Sequence, residues 1–236
     1  MIEVLLEDIL NKIQQKTYNA PKQLSEELGR LIIRDYLTSE QYAYCSSKIF
    51  NSDLNLFAFV MNNCLDSDRI GSNLRKEILE IIGDYLQVAR GYLINYLVFI
   101  KDSSLAIFKK DISQNVKESA LKIVVRILQS YDASILDPII QADTLRDILI
   151  QEVTKLKPSP SVKGRIWQIL GELIRKFYAK MIPNIFEIQE LSFYEIKKMM
   201  EDGKNVEIKT LKGLLQLTRA ILEVQEYPVE ESKLGL

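Results

Sequence analysis

The chain contains no histidine. Ser-His-Asp and Cys-His nucleophilic catalysis are therefore excluded, as are zinc sites that draw on imidazole. Cysteine is nearly as scarce. Cys45 and Cys64 are the two thiols, without C-x-x-C spacing, too few for a structural zinc cage. They fit reduced intracellular cysteines in a core better than a disulfide framework, which points to cytosol or nucleus. There is no G-x-x-x-x-G-K-[ST] loop, no G-x-G-x-x-G turn and no EF-hand pattern. Kinase elements of the D-F-G and H-R-D-L-x-x-x-N kind are missing too. The adjacent carboxylates Glu26-Glu27 and Glu230-Glu231 would point to different sides of a helix and read as surface charge. No catalytic, cofactor-binding or metal-ligating residues are expected in this chain.

Long hydrophobic runs are also lacking. The most apolar stretch, Tyr92 to Ile100, falls far short of the roughly 20 residues needed to cross a bilayer, so no membrane span is expected. The acidic, amphipathic start MIEVLLEDILNKIQ resembles neither a secretory signal nor an Arg-rich transit peptide. No segment alternates with period two long enough to argue for a sheet.

What is present is helical periodicity. Helices are predicted over residues 2–16, from Pro21 to about Leu37, from Thr38 through Ile49, and after the cap cluster Asn51-Ser52-Asp53. After a polar loop to Asn73 come a repeat helix, a long helical stretch from Tyr92 to about Lys110, and a second repeat helix starting at Asn115 with a capping box to Glu118. Asp137-Pro138 is predicted to open the next helix. Pro158-Ser159-Pro160 ends it, and Ser161 caps the central helix SVKGRIWQILGELIRKFYAK. Pro183-Asn184 is expected to turn the chain, Asp202-Gly203 to close the helix that follows, and Asn205 to start the last one.

The central helix has copies. NLRKEILEIIGDYLQ, NVKESALKIVVRILQ and NVEIKTLKGLLQLTR repeat its design. The apolar anchors Leu74, Val116, Val162 and Val206 are separated by 42, 46 and 44 residues. From each anchor the apolar columns recur at offsets four, five, eight and eleven: Ile78/Leu79/Ile82/Tyr85, Ala120/Leu121/Val124/Ile127, Ile166/Trp167/Leu170/Leu173 and Thr210/Leu211/Leu214/Leu217. This period predicts an all-α, HEAT/armadillo-like solenoid in which each unit covers its neighbour's apolar face. Residues 1–236 are expected to form one array, with repeat helices starting near 73, 115, 161 and 205. Gly83 and Gly171 share a column nine residues after the anchor, where a glycine predicts close approach of a paired helix. The last helix carries Leu211, Leu214, Leu215, Leu217, Ile221 and Leu222 on more than one face. That predicts a fragment of a longer array, poorly soluble or self-associating in isolation.

Charge is balanced overall, with 31 Lys and Arg against 32 Asp and Glu. It is unevenly placed: residues 155–219 hold 13 basic and 7 acidic side chains. Lys155, Lys157, Lys163, Arg165, Arg175, Lys176, Lys180, Lys197, Lys198, Lys204, Lys209 and Lys212 are candidate phosphate contacts. A solvated helix face accounts for the same residues one by one.

Four pieces in order, IFNSDLNLFAFVMNNCLDSDRIGSNLRKEILEIIGDYL, VKESALKIVVRILQSYDASILDPI, SVKGRIWQILGELIRKFYAKMIPN and LKGLLQLTRAIL, resemble the N-terminal helical repeats of the DNA-PKcs family, within the phosphatidylinositol-3-kinase-like kinases. Few gaps separate them, whereas the first 45 residues match only in helix pattern. The resemblance implies a nuclear scaffold segment of a very large serine/threonine kinase. Its partners would be the remaining repeats of the parent chain, double-stranded DNA ends and the Ku heterodimer, in repair by non-homologous end joining. ATP and magnesium would serve a kinase domain outside these residues. About five or six helical pairs are too few to close a ring. The alternative is a stand-alone repeat adaptor that binds protein and no nucleic acid.

Overall fold

The column eight residues after each anchor, Ile82, Val124, Leu170 and Leu214, is buried in all four copies. Its neighbours follow: Leu79, Ala120, Leu121, Ile127, Ile166, Trp167, Leu173, Thr210 and Leu217 are buried as well, while Leu211 is half-buried. The computed structural model describes residues 71–88, 90–155, 158–201 and 207–226. The expected helices before residue 71, both cysteines, the Asp202-Gly203 stop, the Asn205 start and Glu230-Glu231 lie outside the described residues. The described residues are helices joined by short turns, with no strand among them. The chain divides into two compact units, Met1–Ser130 and Tyr131–Leu236.

In the first unit, α1 spans Ser72–Val88, α2 Arg90–Leu93, α3 Leu97–Lys110 and α4 Gln114–Ser130, with a 3-10 turn at Ile94–Tyr96 between α2 and α3. The expected stretch from Tyr92 to Lys110 is thus helical but interrupted. Leu93, Leu97, Ile100, Ser104 and Phe108 line its buried side, spaced three or four apart. The turn Asp111–Ser113 folds α4 back on α3. The Asp111 carboxylate accepts the Ser113 N–H at 2.8 Å, so the helix starts directly behind it, at Gln114. Asn115 therefore lies exposed inside the first turn, where the sequence pattern places the cap. α1 runs alongside α4 in the same direction. Gly83 sits at this contact, and a Cβ there would stand 3.2 Å from Cζ of Arg126.

The second unit holds α5 (Ala133–Leu136), α6 (Ala142–Lys155), α7 (Pro160–Lys176), α8 (Tyr178–Glu201) and α9 (Ile208–Glu226). Three boundaries differ from the sequence reading. Asp137-Pro138 sits in a turn after the short α5, and α6 starts only at Ala142. Pro160, not Ser161, opens α7, because its missing N–H and fixed φ suit the first helical position. Ser159 precedes it in extended conformation. The central helix ends at Lys176, with Phe177 breaking it and buried. Pro183 then lies within α8. Its ring removes one backbone bond, but Pro183 and Ala179 are both exposed, so water can reach the carbonyl left over.

α7 is the core of this unit. The sequence suggests one broad apolar face, yet every residue from Ile166 to Ile174 is buried, because α6, α8 and α9 surround it. Two buried polar side chains are served from its own neighbouring turns: Arg165 donates to Gln168 at 2.8 Å, and Arg175 to Glu172 at 3.3 Å. α7 and α9 run in parallel and pack most extensively. Their closest approach is at two glycines. A Cβ on Gly164 would stand 2.8 Å from the Lys209 carbonyl carbon, and one on Gly213 would stand 2.8 Å from Gly164 Cα. Gly171 continues the seam, with a Cβ there 3.2 Å from Leu217 Cα. The close approach expected at the Gly83 and Gly171 column is backbone against backbone at Gly171, whereas Gly83 meets the Arg126 side chain, and tighter crossing occurs at glycines outside that column.

Candidate functional site

The described basic side chains of 155–219 project from the helices of the second unit, and most have acceptors within the unit. Lys163, in the first turn of α7, pairs with the largely buried Glu195 of α8. At the other end of α7, Arg175 donates from Nε to Glu223 of α9 at 2.7 Å. Lys176 donates to the Tyr131 carbonyl at 2.9 Å. Lys180 pairs with Asp137 and stands 6.0 Å from the Phe177 ring centroid, within cation–π reach. Lys209 donates to Ser161 Oγ at 3.0 Å, so the hydroxyl expected to cap α7 instead joins it to α9. Arg165 serves Gln168.

Lys163, Arg175 and Lys209 tie helix to helix, Lys176 and Lys180 hold α7 and α8 to the turns on either side of α5, and Arg165 stays within α7. A cation held against a carboxylate between two helices is already neutralised, so it offers a phosphate less than its charge suggests. Lys197, Lys198 and Lys212 differ. All three are exposed. Lys197 reaches Glu201 one turn on, at 3.7 Å across two solvated side chains, a contact worth little. Lys155 closes α6, and its side chain is not described; Lys157 and Lys204 lie outside the described residues. The nine candidates whose side chains are described do not share one role: six are paired within the unit, and Lys197, Lys198 and Lys212 face solvent.

Sequence reasoning passed over other cations. Arg219 is highly exposed and donates to Glu223 at 2.6 Å. Lys109 and Lys110 are exposed in the last turn of α3, in the first unit. The doubled lysine at a helix end was the available signal, because cations favour the negative end of the helix dipole. Among the described residues no group of three His, Cys, Asp or Glu side chains is placed to hold a metal ion. No described helix is long and apolar enough to cross a membrane.

Glu223 is the junction of two of these contacts. Hydrogen bonds from Arg175, and then from Arg219, hold its carboxyl below the ordinary value of 4.5. A carboxyl depressed in the folded state adds stability above its unfolded pKa, and that contribution is lost as pH falls through the folded value. Glu223→Gln is therefore expected to lower stability at neutral pH and to flatten the stability profile below 4.5, read by urea unfolding at stepped pH. Identical acid limbs for the two proteins would rule out this role.

Stacked helices with recurring apolar columns and parallel repeat helices define the chain as an all-α helical-repeat protein. The family described as "DNA-PKcs, N-terminal" matches residues 43–233, and the chain belongs to that family. The DNA-dependent protein kinase catalytic subunit of Dictyostelium discoideum is 23% identical over 175 residues, covering 72% of this chain and 4% of that protein. The protein of that name from Canis lupus familiaris is 24% identical over 202 residues, covering 84% of this chain and 5% of its own length. This chain thus spans a small fraction of the curated relatives it matches. No solved structure matches it.

Proposed function

We propose that these residues act as a HEAT-type scaffold segment of a DNA-PKcs-like kinase, helping to cradle a DNA end and the Ku heterodimer in non-homologous end joining in the nucleus. The observation that carries the reading is the family match over residues 43–233. In this reading phosphoryl transfer, with its ATP and magnesium, belongs to a kinase domain outside these 236 residues. The contribution of this segment is shape and charge. Duplex DNA would meet lysines that neutralise phosphates without reading bases, so binding would be sequence-independent and salt-sensitive.

The exposed lysines are the better candidates within the twelve. Lys198→Glu with Lys212→Glu is expected to weaken binding of a blunt duplex in fluorescence anisotropy. It should also reduce the slope of log K against log salt by about 0.9 for each phosphate no longer neutralised. Affinity for duplex that is indifferent to salt and to these reversals would remove phosphate neutralisation by these lysines from the reading. The number of basic side chains already paired within the chain favours the second reading, a repeat adaptor for protein partners. Absence of duplex binding at low salt, with Ku still bound, would select it.

A further inference from the structure

α8 has two apolar faces. One is buried in the unit and carries Met181, Ile185 and Ile188. The other carries Ile182, Phe186, Phe193 and Met200, exposed by 51%, 69%, 65% and 78%. Steps of four, seven and seven residues put these four within a narrow stripe of the helix, about 40° wide at 100° per residue. Exposed aromatic and aliphatic side chains at this spacing form a helix-pairing seam.

The flank of the stripe selects the occupant. Glu190 and Lys197 each follow a stripe residue by four, so they border it on the same side. In an antiparallel helix pair, like flanks face each other. Two copies of α8 related by a twofold axis at Phe193 would set Phe193 against its equivalent and Phe186 against Met200. Glu190 of each copy would then stand within one residue of register of Lys197 of the other. We propose that this face of α8 is the interface with a second copy of the chain, antiparallel about that axis.

α9 supplies the contrast. It also exposes a seven-residue stripe, Ile208, Leu215 and Leu222. Its corresponding flank holds Lys212 and Arg219, so antiparallel self-pairing there would bring cation against cation. Like charges opposed in this way disfavour pairing. The exposed Lys197–Glu201 contact at 3.7 Å is weak enough for Lys197 to change partners.

Sedimentation equilibrium of the 236-residue chain tests this. A monomer–dimer equilibrium is expected. Phe193→Lys, at an exposed position, should give monomer with an unchanged far-ultraviolet circular dichroism spectrum. Lys197→Glu alone should weaken the dimer roughly tenfold, as two symmetry-related pairs become repulsive. Adding Glu190→Lys should restore most of that loss, and Leu215→Glu should leave the dimer unchanged. A chain that stays monomeric up to concentrations on the order of 100 µM overturns the proposal. So does a dimer that survives Phe193→Lys, or one that the double charge swap fails to rescue.

Discussion

Gly213→Ala is expected to lower the unfolding free energy of the Tyr131–Leu236 unit by about 3 kcal/mol, the upper part of the range for overpacking a close contact. In an open helix the same change would raise stability by about 1 kcal/mol, because alanine restricts the unfolded chain and favours helix. The sign therefore reports the geometry. At Gly213 the obstacle is the backbone of Gly164, and at Gly164 it is the backbone of Lys209. Neither can turn aside as a side chain does, so α7 and α9 must move apart. Separation would loosen Leu214, Leu217 and Ala220, all buried. Gly164→Ala should behave like Gly213→Ala. At Gly171 the nearest backbone atom is 3.2 Å away, so a shift of a few tenths of an ångström suffices and the loss should be smaller. Gly83→Ala meets the Arg126 side chain, from Cδ to the guanidinium, with no backbone among its nearest atoms, so the neighbour can give more readily and propensity should weigh more. The single tryptophan, Trp167, is buried in α7 and reports unfolding of this unit by fluorescence in urea. An unchanged or higher midpoint for Gly213→Ala would mean that the two helices do not touch there.

The same comparison marks where the sequence is readable. The apolar columns could be read in advance because burying leucine, valine and isoleucine on one side of a helix is what makes the helix stable in water. The Gly83 and Gly171 column was readable because repetition singled it out. Gly164 and Gly213 carry no such mark. They lie at different offsets from their anchors, and only the crossing of α7 with α9 brings them together. Local rules failed in a similar way at Pro183, which reads as a break yet sits inside α8 on an exposed side. They also placed the caps of α4 and α7 one or two residues late, since the Asp111 turn and Pro160 start those helices. For the candidate site, composition found the basic region but could not tell a cation held by another helix from one facing solvent. Arg175 and Glu223 are 48 residues apart, and Lys163 and Glu195 are 32 apart. Pairings of that range depend on tertiary packing and leave no local pattern.

Arg75→Leu is expected to destabilise the first unit by about 3–5 kcal/mol, the cost of leaving a buried charge without its partner. Arg75 grips the Asp111 carboxylate with two donors, Nε to Oδ2 at 3.0 Å and Nη2 to Oδ1 at 3.1 Å. The two side chains are only 6% and 4% exposed. Pairing of this kind is far less screened than a surface contact, so the loss should persist in high salt. Asp111 has a second task, accepting the Ser113 N–H ahead of α4. This makes the two single substitutions unequal in kind. Arg75→Leu removes the carboxylate's cation but keeps the turn; Asp111→Leu removes the guanidinium's carboxylate and also releases the start of the helix. The double substitution removes both charges and should recover much of the loss. It should still fall short of the parent by about 1 kcal/mol, the worth of a helix-start hydrogen bond. Trp167 lies in the other unit, so hydrogen exchange of the α1 and α4 amides is the suitable readout. If Arg75→Leu leaves that protection intact, the pair is not buried in solution. If the double substitution is worse than either single one, the pair contributes more than the hydrophobic side chains that replace it.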